Sequence, residues 1–310
     1  PGFCVGNPDV VFYACGMRFS LPSFAKINWT LRILGKREDG FHELFTVFQT
    51  VSLRDTLTFS EAGNIRLTSN QPRMPVDGRN LVIKATNALN KEVGGSFGAA
   101  IYLHKRIPSP GGLGGGSSNA AVALIGLRRL WQLDVTDDRL ASIAAEIGSD
   151  AAFFLCGGTA AGSGRGENIE PVDDITAADM LIVRPRARVR TRDAFAALNA
   201  PVLTSEARER ILSVSRTDAD CLDPLHSELT NDFERSVFAA FPEIERVKQT
   251  LLDLGAVNAA LSGSGASIFA IFDKHETRQA AQKALDQEST WRKFAVSTIS
   301  RREYRETLGI

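Results

Sequence analysis

Apolar residues follow two periods along the chain, and each period predicts one type of element. Runs rich in β-branched and aromatic residues that alternate with polar ones are typical of strands. Apolar residues recurring every three or four positions indicate one face of a helix. The first pattern predicts strands over residues 21–34, 44–53, 56–60, 65–68, 99–105, 180–183, 257–261, 268–272 and 294–299. The second predicts helices over residues 80–92, 117–131, 136–147, 192–198, 205–214, 232–240, 242–254 and 276–285.

The order of these elements predicts an α+β fold with two domains. In the C-terminal part, treating neighbouring helices as one gives β-α-β-β-α-β, the order of a ferredoxin-like domain. Composition changes over residues 160–178, so we expect one domain over 17–172 and a second over 173–310. Residues 1–16, which precede Met17, are expected to form an N-terminal extension. A binding site is expected in the cleft between the two domains.

The stretch from Pro108 to Asn119 carries the strongest signal for chemistry. It reads Pro-Ser-Pro-Gly-Gly-Leu-Gly-Gly-Gly-Ser-Ser-Asn and leads into the helix predicted over 117–131. Glycines let backbone N–H groups approach a ligand, and a helix N-terminus adds unpaired N–H groups and a positive dipole end. Phosphate binding is therefore predicted, with a glycine-rich linker as the alternative. Ser117 and Ser118 replace the Lys-Ser/Thr of a Walker A loop, and Ser117 also interrupts a dinucleotide fingerprint.

Two charged residues are further candidates for a site. On a strand, Lys26 shares one face with Phe24 and Asn28. Asp150 follows the helix stop at Gly148. The local pattern leaves simpler alternatives open, because a strand lysine is often solvated and an aspartate at this position is often a helix cap.

Composition bounds the class of protein. The chain has 310 residues, 44% hydrophobic and 23% charged, with a formal net charge of +0. These values are ordinary for a soluble globular protein and give no basis for a nucleic-acid or anionic-membrane partner. The cysteines at 4, 15, 156 and 221 lack C-x-x-C spacing, so we expect free thiols in a reducing cytoplasm. A monomer or weak homodimer is expected.

Several motifs, in one order along most of the chain, resemble those of the GHMP kinases, the family of galactokinase, homoserine, mevalonate and phosphomevalonate kinases. They are Phe24-Ala-Lys-Ile-Asn28, the glycine-rich stretch, Gly148-Ser-Asp150 and Leu261-Ser-Gly-Ser-Gly-Ala-Ser267. The triple glycine followed by Ser-Ser is most similar to the branch that phosphorylates 4-diphosphocytidyl-2-C-methyl-D-erythritol. The resemblance implies a ribosomal protein S5 domain 2-like N-terminal domain that binds ATP, and a ferredoxin-like C-terminal domain.

The resemblance also implies catalytic roles for an ATP-dependent alcohol kinase. Asp150 would be the general base for the substrate 2-hydroxyl, and Lys26 would lie beside it and polarise that hydroxyl, since an adjacent cation favours a charged carboxylate. Ser117 and Ser118 would donate to phosphate or hold Mg²⁺, although no dedicated carboxylate ligand for the metal is identifiable. The implied ATP-binding residues are Pro108, Ser109, Pro110, Gly111, Gly112, Leu113, Gly114, Gly115, Gly116, Ser117 and Ser118. The implied third motif is Ser262, Gly263, Ser264 and Gly265.

The implied substrate-binding residues are Asn28, Phe41, His42, Thr191 and Phe195. Phe41 would stack on a cytosine ring and His42 would hydrogen-bond its edge. Phe195 would supply the opposite ring with Thr191 near it, and Asn28 would contact the methylerythritol end. The alternatives are a hairpin-tip hydrophobe for Phe41 and an ordinary core position for Phe195.

Two other functions stay open at this point. One is a kinase for another small alcohol, such as homoserine or mevalonate, which the pair Phe41-His42 disfavours because those substrates carry no base to stack. The other is a non-catalytic nucleotide-binding sensor, which the presence of both Lys26 and Asp150 disfavours. A nucleotide-linked oxidoreductase is disfavoured by the incomplete fingerprint.

Overall fold

The computed structural model describes residues 17–198 and 222–310. The strands are β1 Arg18–Lys36, β2 His42–Glu61, β3 Arg66–Ser69, β4 Ala99–His104, β5 Thr159–Gly164, β6 Asn168–Pro171, β7 Met180–Arg184, β8 Asn258–Leu261, β9 Ile268–Ile271 and β10 Arg292–Val296. The helices are α1 Leu81–Glu92, α2 Gly115–Leu130, α3 Asp137–Ile147, α4 Phe153–Cys156, α5 Thr191–Ala196, α6 Phe233–Ala240, α7 Pro242–Asp253, α8 His275–Ala284 and α9 Arg301–Leu308. Within these ranges no helix has the length and apolar character needed to cross a membrane. The expected extension over 1–16 and the helix predicted over 205–214 lie outside the described residues.

Two of the differences between predicted and observed boundaries have a clear physical cause. The strands predicted over 44–53 and 56–60 form the single strand β2. They stay continuous because β1 pairs antiparallel with β2 along nearly its whole length. The pairing register shifts between Phe24 and Ala25 without ending either strand. Helix α2 begins before its predicted start, because Gly114, with a left-handed φ of 65°, acts as its N-cap.

Strands β5 and β6 and helices α4 and α9 are absent from the sequence prediction, and β6 and α9 show the reason most clearly. Strand β6 is a mostly exposed edge strand, so it lacks an apolar alternation. Helix α9 buries only Tyr304 and Leu308, and the Ser300 hydroxyl caps it by accepting from the Glu303 N–H. Both elements therefore depend on partners that are distant in the sequence.

The first sheet is built around β2. One edge of β2 pairs with β1, while the other edge pairs with β4 at one end and with β5 at the other. Strand β3 then adds in parallel to β4, and β6 adds antiparallel to β5. Helices α1, α2 and α3 pack against this sheet over a core that includes Leu57, Phe59, Val82 and Leu124. Tyr304 from α9 also packs in this core. The last helix therefore belongs with the first sheet and helices α1 to α3, which together are called the first layer.

The second sheet has the order β10-β7-β9-β8, with antiparallel neighbours throughout. This is the fourth, first, third and second strand of a β-α-β-β-α-β unit, which confirms the ferredoxin-like prediction and the α+β class. Strand β7 shows why the sheet is buried on both faces. Met180 and Ile182 point into the core shared with the first sheet, whereas Leu181 and Val183 point into the core under α6 and α7. The domain division at residue 172 stays a prediction.

Strand β1 connects the two sheets. Its first half buries Phe19 and Leu21 under the helices of the first layer. After the irregularity at Phe24, its second half buries Ile27 and Trp29 between the sheets, with Trp29 edge-on to Phe269 at 5.5 Å. Because side chains alternate along a strand, the residues between these apolar positions project to the opposite side. That side carries the candidate site.

The contact between α2 and β2 makes a stability prediction. A Cβ on Gly126 would collide with the Phe59 ring. Overpacking of this kind costs about 1–3 kcal/mol, which exceeds the gain of about 1 kcal/mol from replacing a mid-helix glycine by alanine. We expect Gly126→Ala to lower the urea midpoint of unfolding. Gly63→Ala, with no atom within 4 Å of the added Cβ, is the control and leaves the midpoint unchanged. A raised midpoint for Gly126→Ala would contradict this packing.

Candidate active site

A cavity of about 400 Å³ lies where β1, the glycine-rich loop, the turn at Asp150 and the loop after β8 meet. Its lining contains Lys26, Asn28, residues 108–117, Asp150, Thr191, Phe195 and residues 263–265, all singled out in the sequence. Ser118, Phe41, His42 and Ser262 are the singled-out residues that lie outside the lining. The fold therefore gathers segments that are far apart in sequence around one space.

Lys26 and Asp150 face each other in this cavity. Lys26 Nζ lies 3.4 Å from Asp150 Oδ2, and the two side chains are 4% and 32% exposed. The same Nζ donates to Asn28 Oδ1 at 2.7 Å and lies 5.4 Å from the centroid of the Phe48 ring. A lysine this deeply buried is not the solvated strand residue that the local pattern left open. Asp150 lies inside a short 3₁₀ turn whose N-cap is Gly148, and the N-cap of the next helix is Ala152, so Asp150 is not the cap residue of either.

The amide of Asn28 is held in one orientation. Its Nδ2 donates to Thr46 Oγ1 at 2.7 Å, and Thr46 Oγ1 in turn donates to the Thr30 carbonyl at 2.7 Å. Because the amide nitrogen is committed to Thr46, the amide oxygen points to Lys26. Thr46 and Phe48 are site residues that sequence reasoning missed. Their spacing of two along β2 was a usable signal, but both faces of that strand are buried, so the pattern alone does not say which face meets the site.

The glycine-rich loop needs glycine where it packs most closely. Gly112 and Gly114 have φ of 74° and 65°, which is the left-handed region. A Cβ on Gly112 would collide with the Ser262 carbonyl, and one on Gly114 would come within 2.9 Å of Lys26 Cγ. The Lys26 N–H also donates to the Leu113 carbonyl at 3.1 Å. The loop thus lies directly against β1, and the first N–H groups of α2, which have no partner within the helix, follow it.

A buried carboxylate holds the start of this loop. Asp55 Oδ1 accepts from the N–H groups of Arg106 and Ile107 at 2.7 and 2.8 Å. Asp55 Oδ2 accepts from Lys105 Nζ and from Asn119 Nδ2. Burial lowers the pKa of Lys105, and the adjacent Asp55 carboxylate opposes that shift. Sequence reasoning missed Asp55, although a charged residue inside the apolar run of β2 was its signal.

Ser118 belongs to the same buried network. Its hydroxyl is hydrogen-bonded to the Ser23 hydroxyl at 2.7 Å, and Ser23 accepts from Asn119 Nδ2 at 2.8 Å. Ser118 is fully buried, whereas Ser117 lines the cavity. The two adjacent serines therefore differ: Ser117 faces the cavity, and Ser118 links α2 to β1.

The third motif packs on the loop from the other side. Ser262 is buried, and its hydroxyl donates to the Gly112 carbonyl at 3.0 Å. Gly263 comes next to the Lys26 ammonium, since a Cβ there would lie 3.3 Å from Nζ. Asn231, which sequence reasoning missed, donates to the Leu261 and Gly263 carbonyls at 2.7 and 2.9 Å. These bonds hold the motif in place.

Aromatic residues form the far end of the cavity. The His42 ring stacks on Phe195 with centroids 5.0 Å apart and planes at 25°. Phe195 also meets Phe233 edge-on at 4.9 Å. Phe195 is half-buried and lines the cavity, so it is not an ordinary core residue. Burial lowers the pKa of His42, and Lys36 adds to this, so the imidazole is neutral at pH 7.

Phe41 lies apart from this stack. Its side chain is 53% exposed, and the Arg165 guanidinium lies 4.8 Å from its ring centroid. Arg165, to which the sequence analysis gives no role, lines the cavity. The structure therefore brings His42 rather than Phe41 against Phe195. Thr191 is close to the stack and shares a hydrogen bond of 2.9 Å with Ser264.

Known proteins resemble this chain in sequence and in fold. Residues 80–158 match the GHMP kinases N terminal domain, and residues 215–289 match the GHMP kinases C terminal. A relative from Solibacter usitatus is 37% identical, covering 92% of this chain and 90% of its own. One from Caldanaerobacter subterraneus is 34% identical, covering 84% and 90%. Both are named 4-diphosphocytidyl-2-C-methyl-D-erythritol kinase. A crystal structure of 4-(cytidine 5'-diphospho)-2C-methyl-D-erythritol kinase matches with a TM-score of 0.72 and 31% identity over 90% of this chain and 99% of that one.

The fold, the glycine-rich loop and these matches define an ATP-dependent kinase. The chain belongs to the GHMP kinase family. This confirms the family and the two-part fold expected from the motifs. It also favours a catalyst over the non-catalytic sensor that the sequence left open.

The network behind the loop makes a second prediction. Asp55→Asn leaves Lys105 buried without its carboxylate, and removing one partner of a buried ion pair costs about 3–5 kcal/mol. We expect a lower free energy of unfolding in urea and a raised KM for ATP, because the loop loses the anchor for its first N–H groups. Asp77→Asn is the matched control, since Asp77 forms a solvent-exposed ion pair with Arg79. Equal unfolding midpoints and equal KM values for the two variants would contradict the role of Asp55.

Proposed function

We propose that the protein transfers the γ-phosphoryl group of ATP to the 2-hydroxyl of 4-diphosphocytidyl-2-C-methyl-D-erythritol, a step of the non-mevalonate route to isoprenoid precursors. The products are the 2-phosphate and ADP. The observation that carries the proposal is the pair of Lys26 and Asp150 at 3.4 Å in a cavity that also holds the glycine-rich loop. The names and coverage of the relatives support this choice of alcohol.

In the proposed mechanism, Asp150 takes the proton of the 2-hydroxyl as the oxygen attacks the γ-phosphorus. A new O–P bond forms, the bond from phosphorus to the β,γ-bridging oxygen breaks, and ADP leaves. Lys26 stabilises the charge on the attacking oxygen. The N–H groups at the start of α2 hold the phosphates, since phosphoryl transfer depends on positioning and charge stabilisation.

The donor atoms present fit Mg²⁺. Ser117 of the glycine-rich loop and the carboxylate of Asp150 are among the oxygen-bearing side chains that line the cavity. The described residues include no group of three or more His, Cys, Asp or Glu placed to hold a metal. Mg²⁺ is commonly held by one or two protein oxygens together with substrate phosphates, so this small set suffices. When bound, the ion neutralises charge on the phosphate oxygens.

Recognition of the cytidyl group is proposed at the aromatic end. Phe195 stacks on the base, and the neutral His42 imidazole has one donor and one acceptor for the edge of the base. Phe41 supplies a second ring from the exposed turn, Thr191 lies at the side, and Asn28 contacts the methylerythritol end. A monomer or weak homodimer, and a place in the cytoplasm, stay predictions.

The base role of Asp150 is tested by turnover. ADP release is measured with ATP, Mg²⁺ and, in separate assays, 4-diphosphocytidyl-methylerythritol, homoserine or mevalonate. We expect turnover with the cytidyl alcohol alone, and a kcat about a hundred- to ten-thousandfold lower for Asp150→Asn, which is the usual contribution of a positioned base. Asp134→Asn, an exposed carboxylate outside the cavity, is the control. Turnover with a different alcohol would reject the substrate, and an unchanged kcat would reject the base.

The recognition of the base is tested separately. Stacking of a base on an aromatic ring contributes about 1–3 kcal/mol, so Phe195→Leu is expected to raise KM for the cytidyl substrate by about tenfold. KM for ATP stays unchanged because the loop is not altered. Phe97→Leu removes an exposed ring that stacks on Trp131 and serves as the control. If both variants keep the wild-type KM, the base does not bind at Phe195.

A further inference from the structure

A second cavity, of about 490 Å³, lies beside the segment that carries Asp150. Residues of α2, α3, α4, β6 and α9 enclose it. Its apolar wall includes Ile125, Leu140, Leu155 and Ile169. The proposed reaction uses none of these residues, and the volume is in the range of small-molecule sites.

Charged side chains surround the apolar wall. They are Arg128, Arg301, Arg305, Asp137, Asp138 and Glu167. Two of the carboxylates are already engaged, since Asp137 accepts from Arg128 Nη1 at 2.6 Å and Glu167 accepts from the Arg165 N–H at 2.5 Å. The three arginines and three carboxylates give the lining no net charge. Arg301 and Arg305 are the two arginines from which neither Asp137 nor Glu167 accepts a hydrogen bond.

The structure describes no carboxylate within hydrogen-bond distance of either of these two guanidinium groups. Arg305 Nη2 is 4.0 Å from Asp137 Oδ2. Arg301 Nη2 donates to the Thr159 and Val172 carbonyls, and its Nε is out of contact with solvent and has no partner. Burial raises the pKa of the neighbouring Cys156 thiol, so the thiol stays neutral and does not offset the charge. A cavity with an apolar wall and two guanidinium groups that hydrogen-bond no carboxylate suits a ligand with an apolar body and an anionic head.

The two cavities share two stretches of chain. Asp150 lines the first cavity, and Leu155, on the same short segment, lines the second. Arg165 lines the first cavity, and Glu167, which binds it, lines the second. A ligand that moves Leu155 or Glu167 therefore acts on groups that face the first cavity.

We propose that the second cavity binds a small amphipathic anion, with its head at Arg305 and Arg301 and its apolar body against Ile125 and Leu155, and that its occupancy changes catalysis at Asp150. The binding does not depend on the identity of the alcohol substrate. The effect on catalysis rests on the proposed role of Asp150.

Binding is measured by titration calorimetry of the full chain with octyl phosphate, octanol and inorganic phosphate. We expect octyl phosphate to bind at least tenfold more tightly than either comparator, because only it supplies both head and body. Arg305→Gln is expected to weaken it at least fivefold. Arg302→Gln is the matched control and is expected to leave the affinity unchanged, because Arg302 lies one helical turn before Arg305 on α9, is 87% exposed and is outside the cavity. Equal binding of octanol, or an unaffected Arg305→Gln, would overturn the head-group contact.

The location is tested by filling the cavity. Ala141→Met adds bulk inside it from α3, whereas Ser142→Met adds the same side chain on the exposed side of that helix. We expect octyl phosphate binding to be lost in the first variant and kept in the second. Competition by ATP, together with unchanged binding in Ala141→Met, would place the probe in the first cavity and overturn the proposal.

The proposed effect of the second cavity on catalysis is tested by measuring kcat and the ATP affinity with octyl phosphate bound. Saturating octyl phosphate is expected to change kcat at least twofold in the wild type and not in Ala141→Met. An unchanged kcat and an unchanged ATP affinity would overturn the link. The ATP affinity, measured by calorimetry, reports the link even where a different alcohol is the substrate, so this result is separate from the test of the proposed function.

Discussion

The ammonium of Lys26 lies almost entirely out of water, and a buried charge is stable only where charged or polar groups surround it. Asp150, the oxygen of Asn28 and the face of Phe48 are those groups. Asn28 lies on β1, Phe48 on β2 and Asp150 in the turn before α4. The ammonium is therefore satisfied only when β1, β2 and the turn at Asp150 are assembled together. The candidate active centre depends on this one cation, which contacts groups from all three elements.

A second buried charge organises the phosphate-binding side. The Asp55 carboxylate collects two backbone N–H groups, Lys105 and Asn119 before the loop begins. Charge-assisted hydrogen bonds inside the protein are stronger than neutral ones in water. The loop thus starts from a fixed point, and Gly112 closes it against the third motif. A loop held at both ends presents its N–H groups without having to order them when ATP arrives, which lowers the cost of binding.

The first layer also forms a wall between two cavities. The segments around Asp150 and Arg165 are short, and each lines both cavities. Phe153 and Phe154, on the first of these segments, pack with Phe48 in one buried cluster. Because packed interiors transmit displacements rather than absorb them, a change on one side of such a wall reaches the other.

The sequence by itself determined the class of fold, most elements and the segments that carry the chemistry. Alternation and helical period are properties of neighbouring residues, so β7, α7 and the ferredoxin-like order were readable, as was the glycine-rich loop with its helix. The motifs around Lys26 and Asp150 identified the family. Short elements without an apolar period, such as β6 and α9, were not readable, since their stability comes from distant partners.

Only the tertiary structure decided which of these residues meet. The roles of Asp55, Asn231 and Thr46 arise from hydrogen bonds to groups far away in the chain, and a polar residue in an apolar run does not name its partner. The adjacent Ser117 and Ser118 look alike in the sequence, but one lines the cavity and the other is buried against Ser23, because successive residues of a helix point in different directions. In the same way, His42 rather than Phe41 meets Phe195, since neighbouring residues at a strand end project to opposite sides.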